Sequence, residues 1–219
     1  IDRGVEGSGA GTEVTGFTQA DYDRVLAAAQ NIYGYDPGGV PSAGPTYNEK
    51  YLMRLDGNIT DNHRASITYN YDEGLSLSES DGDSNEFEFS KHLHQRGAET
   101  KSYSAQLFSN WTDNFSTEFR VSKNEVDFTQ ASIDGAVFGE VQISHNGNTI
   151  YLGSDDSRHA NDLNYDVWTY KALANYSHDK HLFTFGAERQ AYDVFNLFIQ
   201  EAEGEFRFDS IDDFENGIV

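Results

Sequence analysis

The sequence predicts an all-β fold: antiparallel up-and-down hairpins from a transmembrane β-barrel, with one short helix in a loop near the N-terminus. The first observation behind this is a recurring unit of strand, Asp-containing turn and strand. Tyr51–Tyr71 turns at Thr60-Asp61-Asn62-His63, Tyr103–Asp127 at Thr112-Asp113-Asn114, and Asn164–Gln190 at Ser177-His178-Asp179-Lys180-His181. Apolar and polar residues alternate on either side of each turn, as Trp168, Tyr170, Ala172, Ala174 and Tyr176 do with Thr169, Lys171 and Asn175. Neighbouring side chains leave a strand on opposite faces, so this pattern marks a sheet with one dry and one wet face.

The second observation is where the rings fall. Tyr51, Tyr69, Tyr103, Trp111, Phe115, Trp168, Tyr170, Tyr176, Phe183 and Phe185 lie near strand ends, with small or aliphatic residues between them. Aromatic girdles around a membrane barrel have this layout, facing lipid or a neighbouring subunit. The core of a soluble sandwich alternates in the same way. The third observation separates the two: short turns alternate with long connections, as in a barrel, whereas a sandwich tends to space its turns evenly.

The elements follow in order. Residues 1–48 read as a loop with a helix at about 18–33. Ile1–Gly16 is rich in Gly, Ser and Thr and has no apolar period, which predicts a flexible loop. Thr18 and Asp21 have capping-box spacing, and Tyr22, Val25, Leu26, Ala29 and Ile32 then fall on one helical stripe up to Gly34. Pro37, Pro41 and Pro45 make the next stretch an irregular connector.

Residues 49–219 read as barrel hairpins and long acidic external loops forming a single incomplete domain. The first hairpin spans about Lys50 to Asp72, and Glu73–Thr100 is a long polar segment. Asn146-Gly147 between apolar alternations predicts an extra hairpin within Phe128–Gly153. Ser210 and Asp213 repeat the N-cap spacing for a short helix around Phe214, stopped by Gly217.

The chain has 219 residues and a formal net charge of -22, from 37 acids against 15 bases. So acidic a surface repels phosphate backbones, which disfavours nucleic acid as a partner. The acids concentrate in Asp72–Glu88 and Glu201–Glu215, as a solvated loop surface or as a face that collects cations. No cysteine is present, so disulfides and zinc–thiolate sites are excluded. No apolar run is long enough for a transmembrane helix, a limit that does not apply to membrane strands of about 9–11 alternating residues.

Asp81, Asp83 and Asn85 place oxygen donors at alternate positions, as a calcium loop begins, but His92 stands where an EF-hand needs its glutamate. These three are the candidate calcium ligands, and no other cofactor is expected. His92 and His94 form an H-x-H pair able to chelate from one face of a strand, with no third ligand identifiable in the sequence. No nucleophile elbow, phosphate loop, H-E-x-x-H or dinucleotide fingerprint occurs, so no catalytic residue is assigned and an enzyme is not expected. The sequons at Asn58, Asn110, Asn114 and Asn175 flank the three turns, where Asn, Ser and Thr are favoured for their own hydrogen bonding.

Several phrases resemble barrel strands of TonB-dependent outer-membrane receptors, in the Oar-like branch that carries a carboxypeptidase-regulatory-like domain. They are Glu49–Asp56, Asn58–Ser66, Phe183–Glu188, Asp193–Phe198, Phe208–Phe214 and the helix leading to Tyr33-Gly-Tyr-Asp-Pro37. The resemblance implies an internal segment of a 22-stranded barrel that takes up a nutrient with energy from the TonB complex. This segment would supply pore wall and ligand-facing loops, in the outer membrane of a Gram-negative bacterium. Its partners would be outer-membrane lipid and the remainder of the barrel, with the TonB complex reached only through other parts of a full receptor. The motifs that plug the barrel or contact TonB have no counterpart here, and six strands are fewer than the eight of the smallest barrels. Two other readings stand beside it: a receptor-derived fragment assembling with copies of itself into an extracellular fibre, and a secreted calcium- or glycan-binding β domain.

Overall fold

The computed structural model describes residues 1–80 and 82–219. In chain order its elements are β1 (Arg3–Val5), β2 (Thr12–Val14), α1 (Gln19–Asn31), β3 (Tyr47–Thr60), β4 (His63–Ser78) and β5 (Glu86–Glu88). Then come β6 (His94–Thr112), β7 (Phe115–Ser132), β8 (Glu140–His145), β9 (Asn148–Leu152) and a 3-10 turn at Asp156–Arg158. The remainder is β10 (Ala160–His178), β11 (His181–Ile199), β12 (Glu205–Phe208) and α2 (Ile211–Asn216).

Six long strands form one antiparallel sheet in the order β11-β10-β7-β6-β4-β3. Each predicted hairpin is present, and its turn is tighter than the sequence suggests. Thr60 pairs with His63, Thr112 with Phe115, and His178 with His181. Two residues, the first an aspartate, therefore make every turn, and of the three aspartates Asp179 takes a positive φ, of 53°. All three turns lie at one end of the sheet and the long connections at the other.

The strands also run further than expected. β4 continues to Ser78 and β6 starts at His94, because Asp72–Ser78 and His94–Thr100 remain in ladder register with each other. The start of β6, His94–Thr100, gives no apolar alternation, and at the end of β4 only Leu75 and Leu77 do, after the charged Asp72-Glu73, which is why both ends read as loop. This sheet does not close on itself: β3 and β11 are its free edges among the described residues.

The connections are not a loose set of loops. Residues 1–46, 79–80, 82–93, 133–159 and 200–219 pack together as a cap with its own core. Its sheet has the order β12-β8-β9-β5, in which β12 and β8 are parallel, β8 and β9 antiparallel, and β9 and β5 parallel. The hairpin β8–β9 turns at Asn146-Gly147, both with positive φ (50° and 81°), the conformation an Asn-Gly turn adopts. Against this sheet lies α1, whose capping box between Thr18 and Asp21 is complete and whose Tyr22, Val25, Ala28 and Ala29 are buried.

Aromatic side chains dominate the core. Phe87 touches Phe17 at 5.0 Å and Phe89 at 5.3 Å between ring centroids, and Tyr22 stacks on Phe89 at 5.0 Å. Helix α2, ended by Gly217 in the left-handed conformation, adds Ile211 and Phe214 to the same core. Arg24 ties the two helices through Glu215 at 3.0 Å.

Ile1–Gly16, expected to be a flexible loop, instead supplies the parallel pair β1–β2, with Val5 and Val14 buried. Two strands of three residues are too short to leave a periodic signal in the sequence. Every fully buried apolar side chain among the described residues belongs to the cap, and none to the six-stranded sheet.

Candidate functional site

The six-stranded sheet is a single layer whose two faces differ. Starting from Trp168, the register runs to Lys123, Tyr103, Tyr69 and Met53 in neighbouring strands. From Tyr176 it runs to Phe115 on one side and Phe183 on the other, and Ala174 faces Phe185. Tyr51 pairs with Tyr71, Tyr170 with Val121, and Trp111 donates its indole N–H to Thr117 on the same face at 2.9 Å. All ten rings singled out in the sequence therefore share one face, and none is buried.

Along the strands this face is zoned. Next to the turns stand Trp111, Phe115, Tyr176 and Phe183. A middle zone holds Ala65, Leu107, Phe119, Ala172 and Ala187, aligned across the register. A second ring row follows with Tyr51, Tyr69, Tyr103, Trp168 and Tyr170.

Beyond that row, toward the cap, the face becomes charged. Glu49, Glu73 and Glu99 stand opposite one another. The Tyr71 hydroxyl donates to Glu73 and Glu99, and Lys101 pairs with Glu99. The ring row thus sits at a border between apolar and charged surface. Tyr103 and Trp111 are eight residues apart on β6, which is about 27 Å at ~3.4 Å per residue.

The opposite face is polar near the turns. Asp56 accepts from Arg54 at 2.6 Å and from Arg64 at 2.8 Å, and Arg120 pairs with Glu118 at 3.3 Å. Lys50 and Asp72 add a further pair at 2.7 Å. At the level of that last pair, on the cap side, the same face carries Val126, Phe128, Tyr165, Val167, Tyr192 and Val194 around a shallow recess.

Of the candidate calcium ligands, Asp81 lies outside the described residues. Asp83 bonds its neighbours through its main-chain carbonyl and amide, and Asn85 through its side-chain amide. The Arg3 guanidinium binds Glu79 at 2.9 Å and collects the main-chain carbonyls of Gly82, Asp83 and Glu86, while Asn85 donates to the Gly147 carbonyl. A protein cation from the N-terminal strand thus binds main-chain oxygens of this loop. Arg3 stands far away in sequence, so spacing alone gave no sign of it.

Two groups among the described residues have the donor set for a metal ion. Asp156, Glu201 and Glu205 form one near the surface, and His92, Glu140 and Asp155 form another that is buried. The second was missed in the sequence because His92 comes from one connection and Glu140 and Asp155 from widely spaced positions of another. No family model, no curated protein and no solved structure matches this chain.

Proposed function

We propose that this chain is a section of wall from an outer-membrane β-barrel, together with the external cap above it, in a receptor of the TonB-dependent kind. The observation that carries the reading is the zoned face of the six-stranded sheet. Rings, then small and aliphatic residues, then rings again lie uncovered on a sheet that has no partner layer. Leaving Leu55, Ile67 and Phe185 between 62% and 75% exposed opposes folding in water. Against hydrocarbon it favours folding.

The dimensions agree with this. The ~27 Å between the ring rows, tilted by about 40°, gives about 21 Å along the membrane normal, near the ~25 Å apolar band of such barrels. The polar face, with its Arg54–Asp56–Arg64 cluster, would line the water-filled side. The tight Asp turns would lie on the periplasmic side, and the acidic cap would stand outside, where it contributes ligand-facing loops for nutrient uptake. The free edges at β3 and β11 would pair with the rest of the barrel, since an unpaired edge this long invites strand addition.

Those edges also support a second reading, in which copies of the chain pair edge to edge into an extracellular fibre. Envelope fractionation with an alkaline carbonate wash separates the two. The membrane reading expects the chain to stay with the pellet and to need detergent for release. Sedimentation without any membrane, as elongated particles, favours the fibre, and a soluble monomer contradicts both.

A further inference from the structure

We propose that His92, Glu140 and Asp155 form a zinc site that ties two of the cap's connections together. One ring nitrogen of His92 and one carboxylate oxygen each from Glu140 and Asp155 lie within 4.8 Å of one another. His92 comes from the connection between β5 and β6. Glu140 opens β8, and Asp155 precedes the 3-10 turn that leads into β10. All three are buried, His92 completely.

The hydrogen bonding singles out the nitrogen that faces a ligand. His92 uses Nδ1 to bond the Gly153 carbonyl at 3.1 Å, which fixes Nδ1 as the protonated nitrogen. Nε2 then carries a lone pair, is buried, and has no hydrogen-bond partner. A backbone carbonyl that sets the tautomer so that the other nitrogen can bind metal is a common outer-sphere arrangement. The ring is also held by stacking on Tyr151 at 5.1 Å.

The oxygens are poised in a similar way. Glu140 is oriented by the Asp156 amide at 2.7 Å and the Gln142 side chain at 2.6 Å. Asp155 Oδ1 is buried without a hydrogen bond, and its nearest cation is Arg158 at 3.8 Å. Arg158 Nε is itself buried and unbonded. The guanidinium therefore leaves the pocket incompletely neutralised, with two carboxylates and an open imidazole still facing one another.

An imidazole with two carboxylates suits zinc and disfavours calcium or magnesium, which take all-oxygen sets. Zinc bonds of about 2.0–2.2 Å put tetrahedral donors about 3.4 Å apart, so closure takes roughly 1 Å of side-chain movement. A fourth position would hold water.

The test is calorimetric titration of the full chain, stripped of metal with a chelator that is then removed, using zinc sulfate alone. One saturable zinc per chain is expected. Glu140→Gln with Asp155→Asn should weaken it by at least about 100-fold, the upper end of what outer-sphere changes cost. Glu201→Gln with Glu205→Gln, in the surface group, should leave it unchanged.

Absence of saturable binding, binding that survives Glu140→Gln with Asp155→Asn, or binding that needs Glu201 and Glu205 would each overturn the assignment. Where the buried pair of substitutions prevents folding, ring-nitrogen NMR of the unaltered chain decides. One of the seven histidines should move to a metal-bound Nε2 signal with Nδ1 still protonated, and no such change would overturn the proposal.

Discussion

Lys123 holds its ammonium 5.8 Å from the centre of the Trp168 ring, its direct neighbour across the β7–β10 register, and pairs with Asp166 at 2.9 Å. Ring, cation and carboxylate meet here within one step along the strand. Below them the face is apolar and above them it is charged. An amphipathic ring with a long basic side chain reaching outward from it is the arrangement found where hydrocarbon meets water.

Phe119 lies on the same face in the middle zone, and Ser122 lies three residues on, on the other face. In lipid bilayers, Phe119→Lys should cost about 2–4 kcal/mol, as a lysine does near the midplane of a barrel. Ser122→Lys should be close to neutral. Urea titration of both variants in vesicles checks this, and equal costs would mean that the two faces have the same surroundings.

The cap should respond to its own core independently of lipid. Phe87 is completely buried among Phe17, Tyr22 and Phe89. Phe87→Ala should destabilise the cap by about 3–5 kcal/mol through lost burial and the cavity left behind. The readout is the loss of near-ultraviolet circular dichroism in denaturant at lower concentration.

Arg3 is a buried clasp between the N-terminal strand and the 79–86 loop. Its side chain is only 6% exposed and it faces Glu79 and three carbonyls. Arg3→Ala removes one partner and leaves buried oxygen groups uncompensated, a loss of about 3–5 kcal/mol. Hydrogen exchange should speed up in the loop and in β5, while exchange in β10 stays unchanged.

Asp21 gives the cap an acid-side dependence. Partial burial works to raise its carboxyl, but bonds from the Thr18 hydroxyl and amide and the neighbouring His145 hold it below the ordinary value of 3.8. A carboxyl depressed on folding contributes stability that is fully present above the unfolded pKa and is lost as pH falls through the lower, folded one. The Tm of the cap should therefore fall on acidification below about pH 4 more steeply in the unaltered chain than in Asp21→Asn, measured by scanning calorimetry.

The sequence made the sheet legible because its information is local. Alternation flanking Asp61, Asp113 and Asp179 determined three hairpins, and the Thr18–Asp21 and Ser210–Asp213 spacings located both helices. The cap was not legible, because its order comes from pairings between distant short pieces. β5 joins β9, and β12 joins β8, each with three or four residues that carry no period of their own.

One sign was present and too short to weigh: Glu86-Phe-Glu-Phe alternates inside an acidic segment, and both phenylalanines are core residues. The candidate metal cluster shows the same limit. His92 stood out from the H-x-H spacing, but Glu140 and Asp155 meet it only when two connections fold together. His94 is buried beside them and uses Nδ1 with the Ser80 hydroxyl at 3.1 Å.

The most direct measurement uses the chain's two tryptophans, Trp111 and Trp168, which stand on one face in opposite ring rows. The chain is reconstituted in vesicles whose lipids carry bromine at graded depths along the acyl chain. Quenching of both indoles by shallowly brominated lipid, one row near each leaflet surface, is the predicted result. Fluorescence unaffected by bromine at any depth, in protein that has folded in the presence of those vesicles, would contradict a hydrocarbon-facing sheet.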